Sequence, residues 1–318
     1  MRYYIGVDGG GTKTAIALSG EDCRDITYTT TGSASWREYG THTVVKNIKQ
    51  VIDSQLSNSR SAIAGIAIGL PFLGENVDGE QELLEAFRAA FSDVPQFITN
   101  DVEVGWAGSL GLAPGINVVA GTGAIAFGKD EAGNSARCGG WSEFFGDEGS
   151  CYWMGSQVMR LFSKQSDGRL RKDALYETVR GEFGFTDDID FIELMHGKYI
   201  PQRDKVASLQ ILAKKAAGAG APSVLALYTE AANELGLLVR AIRNKLNFTN
   251  QPFNVSYTGG LFKSEDLIIP KFSKKIQQLG GRLITPKYRP EEGALLMAFS
   301  MFHPNGIAQL SKCLKEKS

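Results

Sequence analysis

Apolar and polar residues alternate with two different periods along the first hundred residues. Apolar residues at helical spacing predict helices at 41–56 and 79–91. Short runs of apolar and β-branched residues predict strands at 3–7, 14–18, 25–30, 62–69 and 96–99. Strands first and then alternating helices and strands are typical of a mixed sheet covered by helices.

The same pattern begins again at residue 115. An apolar strand at 115–120 is followed by the turn Gly121-Thr122-Gly123, a returning strand at 124–128, a polar turn and a third strand at 135–137. Laid over residues 3–30, the two stretches match in the order strand, glycine turn, strand, polar turn, strand. We interpret this as a duplicated domain that holds a ligand in the cleft between its copies, the alternative being two unrelated glycine hairpins.

The second half of the chain is predicted to be mainly helical. Apolar stripes, which indicate core packing, predict helices at 152–163, 205–218 and 222–246. A strand at 253–257, a helix at 264–279, a strand at 282–285 and a last helix that opens at Pro290 complete the pattern. The lysines of the last seven residues are expected to lie in a solvated tail.

The first glycine turn follows an acid at the end of the first strand. Asp8 precedes Gly9-Gly10-Gly11-Thr12, and the spacing matches neither a dinucleotide fingerprint nor a P-loop. Because a second strand follows, we predict a hairpin whose turn is residues 9–12. Its backbone N–H groups could face a bound anion, or it could be an ordinary tight hairpin. A carboxylate beside a phosphate needs a cation between them, which points to Mg²⁺ at Asp8.

Composition and charge exclude several classes of protein. The 318 residues are 43% hydrophobic, and 34 basic against 35 acidic residues give a net charge of −1, so neither nucleic acid nor an anionic membrane is an expected partner. The sequence shows no leader and no apolar run long enough to span a bilayer, which predicts a soluble cytoplasmic protein. The four widely spaced cysteines favour free thiols over disulfides or zinc, and no histidine adjoins a Gly-x-Ser-x-Gly elbow.

Two further motifs complete the pattern, "GGWSEFFGDEGS" at 139–150 and "TGGLFKS" at 258–264. With both glycine hairpins, they make the chain resemble the N-acetylglucosamine kinase family, of the BadF/BadG/BcrA/BcrD ATPase type, within the sugar kinase, Hsp70 and actin superfamily. The resemblance covers residues 3 to about 300. It implies an α/β fold, the duplicated actin-like ATPase (ribonuclease H-like) fold, with two domains around a central nucleotide and sugar cleft. The expected domains are 1–113, completed by a helix at 290–310, and 114–289 with a helical insertion.

The resemblance also implies roles for individual residues. Asp8 would hold Mg²⁺ through water, and Asp101 would be the catalytic base. The expected ATP contacts are a first phosphate loop of Gly9, Gly10, Gly11, Thr12 and Lys13, a second of Gly121, Thr122 and Gly123, and an adenosine loop of Gly259 and Gly260. The expected sugar contacts are Ser33, Asp101, Thr122, Gly140, Trp141 and Asp147.

Physical arguments leave an alternative beside three of these roles. A carboxylate at Asp101 can accept the proton of a hydroxyl and orient its oxygen, but Asp101 could also cap the helix that follows it. Asp147 could cap the helix that begins near Ser150 instead of binding a sugar. Trp141 could belong to the core instead of stacking on a sugar face.

The sequence departs from the family pattern mainly on the sugar side. The loop at 31–36 lacks the asparagine usually offered to the sugar, Ala124 and Ser142 replace a serine and a glycine, and residues 69–73 are bulkier than usual. Because one or two hydrogen bonds can decide between sugars, the reaction type is better determined than the substrate.

The expected function is therefore ATP- and Mg²⁺-dependent phosphorylation of an amino sugar. N-acetylglucosamine, converted to its 6-phosphate, is the expected substrate, and N-acetylmuramic acid and glucosamine are the alternatives. An ATPase activator of a 2-hydroxyacyl-CoA dehydratase, with a [4Fe–4S] cluster for which Cys138 and Cys151 are the only candidate ligands, is a second hypothesis. A sugar sensor without catalysis is a third, and a homodimer is an open alternative to a monomer.

Overall fold

The computed structural model describes residues 1–56, 63–75, 78–246, 248 and 251–317. It divides into two compact units, the first made of Met1–Pro114 with Thr285–Ser318 and the second of Gly115–Ile284. Residue 62, the first of the predicted strand at 62–69, lies outside the described residues.

The first unit contains a five-stranded mixed sheet. Its order is β3-β2-β1-β4-β5, in which β1, β2 and β3 are antiparallel neighbours and β4 and β5 run parallel to β1. The strands are β1 (Tyr3–Gly9), β2 (Thr14–Gly20), β3 (Ile26–Thr31), β4 (Ile63–Leu70) and β5 (Gln96–Asn100). Each lies within two residues of its predicted position.

The helices of the first unit come from both ends of the chain. The N-terminal segment contributes α1 (Trp36–Tyr39), α2 (Thr41–Gln55), α3 (Glu80–Ala90) and α4 (Asp101–Leu110). The C-terminal segment adds α12 (Pro290–Phe302) and α13 (Ile307–Lys317). The apolar stripe predicted for α2 is confirmed, since Val44, Ile48 and Ile52 are buried. The C-terminal lysines Lys312 and Lys315 are exposed as expected, but they lie on α13 instead of in a tail, and Leu310 and Leu314 of that helix are fully buried.

Glycines allow α12 to pack closely in the first unit. A Cβ on Gly6 of β1 would overlap the backbone nitrogen of Leu295, and one on Gly293 would overlap the backbone of Gly108 in α4. Both contacts are backbone against backbone, so no side-chain rearrangement can relieve them.

The second unit repeats the first sheet. Its order is β10-β9-β6-β7-β8, again with three antiparallel neighbours and two strands parallel to the central one. The strands are β6 (Gly115–Ala120), β7 (Ala124–Lys129), β8 (Ser135–Gly139), β9 (Phe253–Thr258) and β10 (Gly281–Leu283). Because β6, β9 and β10 correspond to β1, β4 and β5, the predicted duplication is confirmed.

The helices of the second unit agree only in part with the prediction. They are α5 (Cys151–Ser166), α6 (Ala174–Phe183), α7 (Asp190–Leu194), α8 (Arg203–Ser208), α9 (Gln210–Gly218), α10 (Pro222–Lys245) and α11 (Glu265–Gln278). The single helix predicted at 205–218 is wrong, because a tight turn at Leu209 separates α8 from α9. A π-helical turn at Met195–Tyr199 follows α7. Within the described residues, no helix is both long and apolar enough to cross a membrane.

Candidate active site

Two acids lie at one edge of the first sheet. Asp8 is paired with Gly69 of β4, and Gly69 is paired in turn with Thr99 near the end of β5. Since β1, β4 and β5 are parallel, Asp8 and Asp101, which directly follows β5, come from strand ends at the same edge. Burial, followed by the negative charges of Asp101 and Glu291, raises the pKa of Asp8 from 3.8 to about 7, against a smaller lowering by Lys13.

The first glycine turn differs slightly from its prediction. Gly9 still pairs with Thr14 in the sheet, and the N–H of Gly10 donates to the carbonyl of Lys13 at 2.9 Å, so the turn is 10–13 instead of 9–12. A Cβ on Gly9 would lie 2.7 Å from the carbonyl oxygen of Gly69, whereas one on Gly11 would meet no atom within 4 Å. Gly9 therefore permits close packing on β4, and the backbone at Gly11 is open to a ligand.

A loop that follows β3 is hydrogen-bonded to this turn. The hydroxyl of Ser33 donates to the carbonyl of Gly11 at 2.7 Å, and the N–H of Ala34 donates to the carbonyl of Gly10 at 3.0 Å. The hydroxyl of Thr14 donates to the carbonyl of Gly32 at 2.8 Å. The structure thus brings Ser33, predicted to contact the sugar, against the predicted first phosphate loop.

The cap of α4 is Asn100, so the alternative role of Asp101 as the N-cap is wrong. The side-chain oxygen of Asn100 accepts from the N–H of Val102 at 3.0 Å, and its amide donates to the carbonyl of Leu73 at 2.7 Å. Asp101 occupies the first helical position, where the helix dipole favours a negative charge. From the sequence, only Asp101 was expected as a possible cap, whereas the cap is the residue before it, Asn100.

The second glycine turn is fixed by the start of α5. The N–H of Cys151 donates to the carbonyl of Gly121 at 2.8 Å, and the N–H of Tyr152 donates to the carbonyl of Thr122 at 3.3 Å. Ser150 caps α5 by accepting from the N–H of Trp153 at 3.0 Å. The alternative role of Asp147 as the cap of this helix is therefore wrong.

The predicted adenosine loop lies against the second glycine turn. Gly259 has φ 106°, and a Cβ there would overlap the carbonyl group of Ala120 next to Gly121. A Cβ on Gly260 would lie 3.3 Å from the sulfur of Cys151. Position 259 therefore requires glycine, because its φ is positive and because a Cβ there would overlap Ala120. Gly259 and Gly121, which are 138 residues apart in the sequence, are thus adjacent within the second unit.

Asp147 is buried and forms contacts that the sequence did not suggest. Its side chain is 2% exposed; one oxygen accepts from the N–H of Ala124 at 3.0 Å and the other from the guanidinium of Arg203. The Nε of Arg203 lies 3.2 Å from a carboxylate oxygen of Glu143. Arg203 and Glu143 were missed because no motif spacing relates Arg203 to a loop 56 residues earlier.

Trp141 is exposed, so its alternative assignment to the core is wrong. The residue is 71% exposed, and Phe144 and Phe145 of the same loop are also exposed. The neighbouring Gly140 has φ 71°, and its N–H donates to the carbonyl of Ala124 at 2.9 Å. The loop is therefore attached at Ala124 on both sides of Trp141, through Gly140 and Asp147.

The acids near Asp8 suit Mg²⁺ bound through water. In the described part of the chain, no three His, Cys, Asp or Glu side chains are grouped to hold a metal ion by themselves. Mg²⁺ usually keeps several waters and binds one or two carboxylates together with substrate phosphates, so it needs no such cage. A cation beside Asp8 would also neutralise the charge that Asp101 and Glu291 add to it.

Comparisons with known proteins agree with this fold. An N-acetylmuramic acid/N-acetylglucosamine kinase of Clostridium acetobutylicum is 27% identical over 94% of this chain and 99% of its own length. An N-acetyl-D-glucosamine kinase of Dictyostelium discoideum is 26% identical over 93% of this chain and 98% of its own. A crystal structure from Chromobacterium violaceum, named as a candidate N-acetylglucosamine kinase, has a TM-score of 0.72 and 26% identity, covering 93% of this chain and 99% of that one.

The model of one protein family matches nearly the whole chain. The match runs over residues 5–298 and includes both sheets, both glycine turns, Asp8 and Asp101. With the two sheets of identical strand order, it confirms the predicted α/β fold of the duplicated actin-like ATPase type. The chain belongs to the BadF/BadG/BcrA/BcrD ATPase family.

Proposed function

We propose that this protein is an ATP- and Mg²⁺-dependent kinase that phosphorylates the 6-hydroxyl of an amino sugar, with N-acetylglucosamine as its substrate. Membership of an ATPase family supports the use of ATP, and both curated relatives described above are named as amino sugar kinases. The observation on which the proposal depends is the placement of Asp8 and Asp101 at the carboxyl ends of parallel strands, beside the open glycine turn.

The proposed ATP contacts are backbone groups of glycine turns. In the first unit they are Gly9 to Lys13, and in the second unit Gly121 to Gly123 with Gly259 and Gly260. An added Cβ at Gly11 or Gly121 would meet no atom within 4 Å, so there is open space beside both residues, although the N–H of Gly121 itself donates to the carbonyl of Gly123 at 3.0 Å. Mg²⁺, held by Asp8 through water, would neutralise phosphate charge.

Asp101 has the proposed role of catalytic base. It accepts the proton of the sugar's 6-hydroxyl as that oxygen bonds to the γ-phosphorus and the bond from phosphorus to the ADP oxygen breaks. Asn100, and not Asp101, is the residue whose side chain caps α4. Fixing the direction of the hydroxyl oxygen is as important as accepting its proton.

The proposed sugar contacts come from both units. Ser33 and Asp101 belong to the first unit, and Thr122, Gly140, Trp141 and Asp147 to the second. Trp141 is exposed and can stack on the apolar face of a sugar. Each Asp147 oxygen has one protein partner, and a sugar hydroxyl is proposed to donate to a remaining lone pair of this carboxylate. The protein is also proposed to be cytoplasmic.

A panel of hexosamines tests the proposal. Purified protein with ATP and Mg²⁺ is expected to form ADP with N-acetylglucosamine, and the product is expected to carry phosphate at position 6 by NMR. N-acetylmuramic acid, glucosamine and glucose are the comparison substrates. ADP formation that does not depend on any sugar would refute the assignment as a sugar kinase.

The Asp101→Asn variant tests the base. We expect kcat to fall by about 100-fold or more while the KM for ATP stays within about threefold. Asp93→Asn, which removes an exposed acid from the same unit, is the matched control and should retain wild-type turnover. Sugar-dependent turnover that survives in Asp101→Asn would remove Asp101 from the mechanism.

The activator hypothesis receives no support from the two cysteines that it requires. Burial raises the pKa of the Cys151 thiol to about 11, which opposes the thiolate form that a cluster binds. Cys138 is half-buried on β8. A brown, iron-containing preparation under anaerobic conditions would revive this hypothesis.

A further inference from the structure

Arg203 connects two acids of the loop between β8 and α5. Its Nη2 donates to Asp147 and its Nε lies 3.2 Å from Glu143, so one planar guanidinium contacts both carboxylates. The Asp147 side chain is 2% exposed, that of Glu143 19% and that of Arg203 42%. A buried carboxylate is costly unless it is paired and hydrogen-bonded, and Arg203 supplies the charged partner.

The position of Arg203 is itself fixed by close packing. Arg203 is the first residue of α8, and a Cβ on Gly155 of α5 would overlap the carbonyl oxygen of Val206 in α8. The start of α5 is hydrogen-bonded to the second glycine turn through Cys151 and Tyr152. Arg203 is therefore presented by a helix that packs without a gap on the helix that fixes this turn.

The backbone around Asp147 needs such a constraint. Asp147 has φ 60°, a left-handed conformation that is uncommon for residues other than glycine. Its second oxygen accepts from the N–H of Ala124, directly after the second glycine turn. A Cβ on Gly123 would lie 2.9 Å from both Asp147 Oδ2 and Arg203 Nη2, so the turn leaves room for this ion pair. The carboxylate is thus held from two sides.

We propose that Arg203 is a positioning residue for amino sugar binding: by pairing with the Asp147 carboxylate, it holds Asp147, and with it the loop from Gly140 to Asp147, against the second glycine turn. This inference rests on the proposed function and on the role of Asp147 within it. The Nε and Nη2 atoms of Arg203 are engaged by Glu143 and Asp147, and the role assigned to Arg203 is positioning and not a sugar contact. Its effect on sugar binding passes through Asp147.

The test compares Arg203→Gln and Arg203→Lys with Arg169→Gln. Arg169 forms an exposed ion pair with Asp167 in the same unit and is the matched control for loss of an arginine. We expect Arg203→Gln to raise the KM for N-acetylglucosamine by about 10- to 100-fold, because small misplacements of binding groups have effects of this size. The KM for ATP should stay within about twofold. Arg203→Lys keeps the positive charge but cannot contact Glu143 and Asp147 with one planar group. Its KM for N-acetylglucosamine should therefore lie between those of Arg203→Gln and wild type.

A second measurement separates positioning from a general loss of structure. Guanidinium ions at millimolar concentration are expected to restore sugar binding to Arg203→Ala, as measured by calorimetry without ATP, and to leave Arg169→Gln unchanged. Because the added ion could also restore lost stability, sugar binding that recovers while the melting temperature of Arg203→Ala stays unchanged is the result that indicates positioning. If Arg203→Gln folds poorly, the rescue measurement still tests the role of Arg203, because it compares Arg203→Ala with and without the added ion.

The outcomes distinguish the inference from the proposed function. Wild-type turnover of N-acetylglucosamine with an unchanged sugar KM in Arg203→Gln and Arg203→Lys would overturn the role of Arg203 and leave the kinase assignment intact. Equal rises in the KM for sugar and ATP would also overturn it, because they indicate a general disturbance. A wild-type protein that phosphorylates no hexosamine would overturn the proposed function, and this inference with it.

Discussion

The raised pKa of Asp8 predicts a stability that depends on pH when neither metal nor nucleotide is present. In the folded protein the pKa is about 7 instead of 3.8, mainly because of burial and then because of Asp101 and Glu291. A carboxyl whose folded pKa lies above its unfolded value stabilises the protein fully below the unfolded pKa. This contribution decreases as the pH rises and is lost above the folded pKa.

The size of the effect follows from the two pKa values. The difference between 3.8 and about 7 corresponds to an upper limit of about 4 kcal/mol in the free energy of unfolding. Because Asp8 is half-buried and coupled to other acids, we expect about 2–4 kcal/mol to be lost between about pH 4 and pH 7.5. Asp8→Asn has no carboxylate to ionise there, so it should be more stable than wild type at about pH 8 by 1–3 kcal/mol.

The assay is urea unfolding in EDTA at several pH values. The quantity of interest is the difference in unfolding free energy between Asp8→Asn and wild type, because this difference cancels the titration of distant groups. It should increase as the pH rises from about 4 to about 7.5 and stay constant at higher pH. Asp93→Asn, an exposed acid, should show a difference that is independent of pH.

Two results would refute this reasoning. One is a stability difference between Asp8→Asn and wild type that is the same at about pH 5 and pH 8.5, which would mean that Asp8 titrates normally. The other is an Asp8→Asn variant that is less stable than wild type at the higher pH. Adding Mg²⁺ and ATP to the wild type should recover much of the stability lost at high pH, and Asp8→Asn should lack this gain.

Three further changes have expected outcomes in stability or binding. Gly293→Ala should destabilise the protein by about 3 kcal/mol or more, because the added Cβ would overlap the backbone of α4. Gly218→Ala is the control: a Cβ there meets open space, so the change should be neutral or stabilising. Urea unfolding measures both. Ser150→Ala should lower the free energy of unfolding by about 1 kcal/mol, because it removes the cap of α5. Ser163→Ala, on the exposed face of the same helix, should lower it by less, and thermal unfolding measures both. Trp141→Ala should leave the melting temperature within about 2 °C because the side chain is exposed, yet weaken sugar binding about tenfold by calorimetry.

Periodicity was sufficient to predict the strands and the longest helices. The duplicated hairpins were visible because strand, glycine turn and strand are contiguous in sequence, and their pairing is confirmed by the registers of Gly9 with Thr14 and of Ala120 with Ala124. The break at Leu209 was not predictable, because the apolar spacing continues through it and only the hydrogen bonds change. The helix α13 was not predicted because lysines dominate the C-terminus, and among its described residues only Leu310 and Leu314 are fully buried.

The candidate site was predictable only where it is local in sequence. The glycine turns and the acids that follow strands are short motifs, so Asp8, Asp101 and Gly121 could be named in advance. The partners of Asp147 could not, since Arg203 comes from a helix whose position depends on packing between α5 and α8. The cap of α4 shows the same limit, because choosing Asn100 over Asp101 requires the backbone geometry of the strand end.

The two units differ in the residues at the ends of their corresponding strands. Asp8 is the penultimate residue of β1, where it pairs with Ala15, while the corresponding end of β6 is Val119 and Ala120, paired with Ile125 and Ala124. The first sheet therefore has acids at its strand ends, and the second presents mainly glycine backbone. A phosphate needs N–H donors without negative charge, whereas a cation and a hydroxyl proton need carboxylates. On this argument Val119→Asp should weaken ATP binding without creating a second metal site, because the second sheet has no counterpart of Asp101 after β10, where residues 284–286 are Ile, Thr and Pro.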